Sequence, residues 1–141
     1  MNDFQIEPKY KMLFDAARDV VQKNYHPIKH SVGAAVLGAS GVIYTGINVE
    51  SSGHGVCAEP IALGAALSSG EKEVTAVIAV AKRETEFVVL SPCGNCRQML
   101  LDYAPEADVI FADAAGGGGA ACTKAKNLLP GAYIAPDFSD V

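Results

Sequence analysis

Nothing in the sequence approaches the roughly 20 consecutive apolar residues that a helix needs to cross a bilayer, so no membrane partner is expected. Basic clusters are missing too. The 11 Lys and Arg against 16 Asp and Glu leave a net charge of −5, which argues against a nucleic-acid partner and for a small-molecule one. Cysteine is scarce: 4 residues, irregularly spaced, do not make the disulfide framework of a small secreted domain. The opening stretch MNDFQIEPKYKMLF has charges among its apolar residues and does not read as a signal peptide. The expectation is a cytoplasmic protein with reduced thiols, its 141 residues forming one domain over 1–141 around one core. The glycine-rich stretch AAGGGGAA, Ala114 to Ala121, lacks a following G-K-[ST] and the G-x-G-x-x-G spacing. Phosphate cradling is therefore disfavoured, and a mobile connector is expected.

What is present is alternation of helical and strand patterns. PKYKMLFDAARDVVQKNY, from Pro8 to Tyr25, spaces Met12, Leu13, Ala16, Ala17, Val20 and Val21 as one face of an amphipathic helix. Two apolar runs, about Ser31 to Leu37 and Val42 to Val49, are split by Ala39-Ser40-Gly41 and predict a hairpin. VCAEPIALGAALSSG predicts a helix ending near Gly70, EVTAVIAVAK a buried strand, CGNCRQMLLDYA a helix stopped by Pro105, and ADVIFAD a short strand. CTKAKNLLPGAYIAPDFSDV predicts a short last helix broken by Pro130, then a tail over about 130–141. The order implies a three-layer α/β/α domain with a mixed central sheet.

SPCGNCRQ, Ser91 to Gln98, holds two cysteines three apart. That spacing serves a redox pair, half of a structural zinc site and part of a catalytic metal centre equally well. A partner elsewhere decides between them. VCAEPIA places Cys57 and Glu59 at the start of a predicted helix, so the chain reads C-A-E and then P-C-x-x-C. Zinc deaminases carry H-x-E followed by P-C-x-x-C, with a cysteine permitted for the histidine. Cys93 and Cys96 share one face of a first helical turn. Residues two apart in a regular helix point about 200° from each other, so Cys57 and Glu59 converge only if Cys57 sits outside the regular turns.

Three protein ligands leave a coordination position vacant, which implies catalysis rather than a closed structural site. Glu59 then acts as the proton shuttle, taking a proton from water and passing protons to the ring nitrogen and the departing ammonia. Three thiolates around Zn²⁺ carry about −1 charge, so the two helix N-termini and hydrogen bonds from Arg97 to thiolate sulfur are expected to offset it. Cys122 is expected to be an ordinary thiol, His26 a surface residue, and His30 and His54 pocket walls. The alternative is a structural-zinc or thiol-redox protein that makes no use of Glu59.

The segments YHPIKHSVGAAV, TGINVE, CAEPIA, LSPCGNCRQMLLDY and NLLPGAY, in that order across nearly the whole chain, resemble the cytidine deaminase family, within which blasticidin S deaminases are close relatives. The resemblance implies the cytidine deaminase fold, one Zn²⁺ per subunit, and a homotetramer whose neighbouring subunits complete each pocket. It also implies that Asn48 and Glu50 bind the nucleoside sugar, while Ala58 and the backbone of Ser91, Pro92 and Cys93 contact the base. His30 and Tyr133 complete the expected substrate-binding set.

Two departures stand out. Pro60 occupies the position where many cytidine deaminases have an arginine that bonds the thiolates, which raises the load on Arg97. His30 stands where an aromatic residue commonly helps hold the base. The implied reaction converts cytidine and deoxycytidine to their uridine forms, with blasticidin S or another modified cytosine nucleoside as the alternative. The short interval from Asn48 to Cys57 and LLPGAY lean to the alternative. Glu50 leans away from it, because a carboxylate two residues from Asn48 on one strand face is an acceptor suited to sugar hydroxyls.

Overall fold

The computed structural model describes residues 6–113 and 119–138. Among them, helix α1 (Lys11–Asn24) follows a 3-10 turn at Pro8–Tyr10 and leads into strands β1 (Val32–Gly38) and β2 (Ile43–Ile47). Helix α2 (Ala58–Ser68), strands β3 (Val74–Arg83) and β4 (Glu86–Leu90), helix α3 (Gly94–Tyr103), and strands β5 (Asp108–Asp113) and β6 (Gly119–Lys124) complete the order. The sheet runs β2-β1-β3-β5-β6 and is mixed, as expected, because β3 pairs β5 in parallel while its other partners are antiparallel. One edge of β3 is divided: Ala76 to Ile78 face β5, and Ala79 to Arg83 face β4.

Side chains alternate across the strands and so fill two cores. Ala34, Val36, Val77 and Ala79 pack with α2 and α3, while Ala35, Ala76, Ile78 and Val80 pack with Leu13, Phe14 and Ala17 of α1. The three layers are α1, the sheet, and α2 with α3. Small residues set how closely the layers approach. A Cβ on Gly46 would come within 2.6 Å of Ala62 N and 2.8 Å of Ile61, so glycine lets α2 lie directly on β2. That contact fixes the helix whose N-terminus carries Cys57.

The structure departs from the expectations in three places. Strand β4 was not foreseen, because its hairpin turn at Glu84 and Thr85 has none of the Gly or Asn that mark tight turns, and Glu84 itself adopts a φ of +51°. The expected glycine connector lies outside the described residues over 114–118, and its last three residues, Gly119 to Ala121, belong to β6. The expected last helix is instead the end of β6 and a 3-10 turn at Ala125–Asn127, followed by a segment with one further 3-10 turn at Pro136–Phe138. Pairing with β5 overrides the weak strand propensity of GAACTK.

Register in that pair is marked by charge. Asp108 faces Lys124 across the strands, with Nζ 2.7 Å from Oδ1, and the Tyr10 hydroxyl donates to Asp108 Oδ2. Lys124 first, and then Tyr10, hold the Asp108 carboxyl below its ordinary range, while burial and the same bond push the Tyr10 phenol up. The depressed carboxylate contributes stability above its unfolded value of about 3.9, lost as pH falls through the folded value; the raised phenol contributes below about 10 and loses this as pH rises through its folded value. The urea-midpoint gap between wild type and Asp108→Asn should therefore narrow below about pH 4. A gap constant from pH 3 to 7 would show that the carboxylate charge contributes nothing.

Candidate metal centre

Two helices begin at cysteines. Cys57 is the N-cap of α2, with φ −64° and ψ 161°, and Cys93 is the N-cap of α3, with φ −69° and ψ 171°. Both are extended rather than helical, which resolves the angular problem posed by C-A-E: Cys57 lies outside the regular turns, and Glu59 is the second residue inside them. Pro60 falls in the first turn of α2, where backbone N–H groups have no intrahelical acceptor, so the helix loses nothing by it. Cys96 follows within the first turn of α3, whose ladder opens with Arg97 N–H donating to Cys93 O at 2.9 Å.

The sulfurs of Cys57, Cys93 and Cys96 lie within 4.8 Å of one another, and Cys57 Sγ is 3.6 Å from Cys93 Sγ. Tetrahedral zinc with bonds of about 2.3 Å requires sulfurs about 3.8 Å apart, so the donor set fits the ion in type and in spacing. The group spans from a fully buried Cys96 to an exposed Cys93. Burial, the Glu59 carboxylate and the neighbouring thiols push the Cys96 thiol up, and burial first raises Cys57 as well. For Cys93, burial also raises the thiol but is outweighed by the backbone N–H groups of Cys96 and Asn95 and by the neighbouring thiols, leaving it below an ordinary cysteine. Two helix N-termini, positive ends of their dipoles, thus meet at a cluster of groups that repel each other when ionised. A divalent cation relieves that repulsion.

Glu59 is 5% exposed, and burial raises its carboxyl, opposed by its own backbone N–H and by the Cys96 thiol. The carboxyl group therefore sits beside the sulfurs, shielded from water. Cys122, by contrast, is an exposed residue of β6, paired with Ile110 and outside the cysteine group.

Arg97 differs from expectation. Its Nε donates to Pro92 O at 2.8 Å and its Nη1 to Leu128 O at 3.0 Å; neither bond goes to sulfur. The guanidinium instead ties the residue before Cys93 to the C-terminal NLLPGAY segment. Arg97→Ala should cost about 2 kcal/mol of unfolding free energy, and Arg97→Lys most of that, since one ammonium does not reproduce a planar two-point bridge. Chemical denaturation midpoints measure this, and wild-type midpoints for both variants would contradict it.

The expected substrate residues divide into two groups. His30, Asn48 and Glu50 come together: Asn48, 6% exposed, accepts from Ser31 and Val32 N–H at 2.9 and 3.0 Å and donates Nδ2 to Glu50 Oε1 at 3.1 Å. His30 Nδ1 lies 2.8 Å from Asn48 O. Strand β2 ends before Asn48 and Glu50, but a bridge between Val49 and Val56 brings the segment that carries them alongside the residue preceding Cys57. Ala58 is fully buried at the start of α2, Pro92 is buried, and Ser91 donates Oγ to Ala112 O at 3.1 Å.

Tyr133 is not brought to this group. Its side chain is part of a residue 73% exposed, and its carbonyl accepts from Gln98 Nε2 at 2.9 Å. His54 lies in an exposed loop, and His26 is exposed with Nδ1 accepting the N–H groups of Ile28 and Lys29. Ser31 and Val32, which anchor Asn48, and Leu128, which with Pro92 anchors Arg97, act through backbone atoms, so their residue types alone did not point to these roles.

Residues 8–112, which contain all three clustered cysteines and Glu59, match the family described as the cytidine and deoxycytidylate deaminase zinc-binding region. The chain belongs to this family. Among its relatives, the blasticidin-S deaminase of Bacillus cereus is 35% identical over 118 residues, 79% of this chain and 84% of the relative. The cytidine deaminase of Halalkalibacterium halodurans is 33% identical over 133 residues, 92% of this chain and 98% of the relative. Crystal structures of the cytidine deaminases from Burkholderia pseudomallei and Mycobacterium tuberculosis each align with a TM-score of 0.72 at 30% identity. They cover 91% and 92% of this chain and 100% of their own. The deaminase family membership and the three-cysteine group agree on zinc as the metal.

Proposed function

We propose that this deaminase hydrolyses free cytosine nucleosides, converting cytidine and deoxycytidine to uridine and deoxyuridine with release of ammonia. The observation that carries the reading is the meeting of three thiols at two helix N-termini beside one buried carboxyl, Glu59. Zinc held by Cys57, Cys93 and Cys96 supplies Lewis-acid activation of water. The Glu59 carboxylate accepts the first proton that water gives up, in a site screened from solvent, and passes it to the ring nitrogen. It then takes the second from the hydroxyl newly bonded to the ring carbon and passes it to the amine, which leaves as ammonia as the carbonyl forms. Ala58 and the Ser91–Pro92 backbone border the base. Asn48, locked by two backbone N–H groups, presents Nδ2 to Glu50, so the Glu50 carboxylate is held as an acceptor for sugar hydroxyls.

In the same proposal, residues 1–141 form one deaminase domain in a cytoplasmic homotetramer that serves pyrimidine salvage, with Tyr133 contributing to the pocket of a neighbouring subunit. Its exposure in the single chain supports that placement. No described helix is long and apolar enough to cross a membrane, and the net charge of −5 disfavours nucleic acid.

Deamination of blasticidin S is a second reading, favoured by the similarity to the Bacillus cereus enzyme. Incubating the zinc-loaded protein with cytidine, deoxycytidine, cytosine and blasticidin S separates the two. Ammonia is expected from the first two, and Glu50→Ala should impair them without changing zinc content. Ammonia from blasticidin S alone would replace the first reading with the second.

A further inference from the structure

Glu50 is an exposed residue, and an exposed glutamate is ordinarily free to change rotamer. Here its position is defined from two sides. Oε1 accepts from Asn48 Nδ2, and Asn48 has no freedom to follow a moving partner, because its Oδ1 is held by Ser31 and Val32 N–H. On the other side lies Gly55. The bonds between Val49 and Val56, 2.9 and 2.8 Å, close the loop so that residues 50 and 55 face each other across its neck. A Cβ on Gly55 would collide with Glu50 Oε2 and come within 3.3 Å of Cδ and 3.5 Å of Oε1.

The glycine is not there for backbone reasons. The described glycines with positive φ are Gly41, Gly70 and Gly131, so Gly55 has a conformation open to alanine. What an alanine would displace is the carboxylate, the free end of a flexible side chain. Gly53, in the same loop, gives the contrast: a Cβ there would meet nothing nearer than Ser51 Oγ at 4.0 Å.

We propose that Gly55 is a positioning residue for sugar recognition: its missing side chain is the space that lets the Glu50 carboxylate stand against Asn48 and face the nucleoside hydroxyls. The inference rests on the reading of Glu50 as the sugar acceptor. A methyl group at position 55 turns the carboxylate out, breaks the bond to Asn48 Nδ2, and selectively weakens substrates that offer hydroxyl donors.

The test uses zinc-loaded full-length protein as wild type, Gly55→Ala, Gly53→Ala, Glu50→Ala and the Glu50→Ala/Gly55→Ala double variant. Each is assayed on cytidine and on 2′,3′-dideoxycytidine. Gly55→Ala should lower kcat/KM for cytidine by about tenfold or more, chiefly through KM, the scale of one lost hydrogen bond to a charged group. It should leave the dideoxy value in place, so the ratio of the two falls toward that of Glu50→Ala. Gly53→Ala should match wild type. The double variant should match Glu50→Ala, because the group that Gly55 accommodates is already gone.

A Gly55→Ala loss equal on both nucleosides, or one that adds in full to the Glu50→Ala loss, overturns the role of Gly55 while leaving Glu50 as the acceptor. A Glu50→Ala variant with the wild-type ratio overturns the acceptor reading itself, and the role of Gly55 with it.

Discussion

Glu59→Gln should lower turnover of the preferred nucleoside by at least about a hundredfold, the scale expected for removing a general acid-base, while leaving one zinc per chain. The replacement is nearly isosteric, so the packing of α2 against the sheet is unchanged. It also removes a carboxyl that burial holds in an unfavourable environment at 5% exposure. The thermal midpoint should therefore equal or exceed that of wild type, the pattern expected where a function is held at a cost in stability. A folding defect comparable to the loss of activity would mean that Glu59 is structural. Near-normal turnover would remove it from the mechanism.

Loss of a cysteine ligand should be more complete. Cys96 has no exposed surface, and its sulfur closes the group from the core side. Cys96→Ala leaves two sulfurs, Cys57 and Cys93, without the third donor, and an ion retained by two thiolates is too weakly held to survive purification. Zinc should fall from about one per chain to near zero, turnover to background, and the thermal midpoint below that of wild type, since metal binding free energy is part of folding free energy. Cys122→Ala is the control: it lies on β6, outside the group, and should keep one zinc and full turnover. Metal analysis of the two variants side by side measures this. A Cys96→Ala protein with full zinc, or a Cys122→Ala protein without it, would reassign the ligands.

The chemistry was more legible in the sequence than the architecture around it. C-A-E and P-C-x-x-C mark the metal group because ligand spacing is local, and the need for Cys57 to stand outside the helix followed from helix geometry alone. The N-cap conformations of Cys57 and Cys93 meet that need. Strand β6 was hidden, because GAACTK has little strand propensity and acquires its pairing from β5 and from the Asp108–Lys124 contact 16 residues apart in sequence. Arg97 was assigned the correct neighbourhood and the wrong partners: adjacency to Cys96 suggested sulfur, whereas the side chain spans to the carbonyls of Pro92 and Leu128. The part played by Gly55 is invisible to any reading of residue types, because it consists of space left for Glu50.

The most direct measurement follows cytidine, uridine and ammonia together in one reaction with purified protein, before and after the metal is stripped and then restored as zinc. One uridine and one ammonia should appear per cytidine consumed, production should stop on removal of the metal, and it should return with zinc. A metal-free preparation that stays folded and fully active, or a zinc-loaded one that releases no ammonia from any cytosine nucleoside, would contradict the assignment of this site as a zinc-dependent nucleoside deaminase.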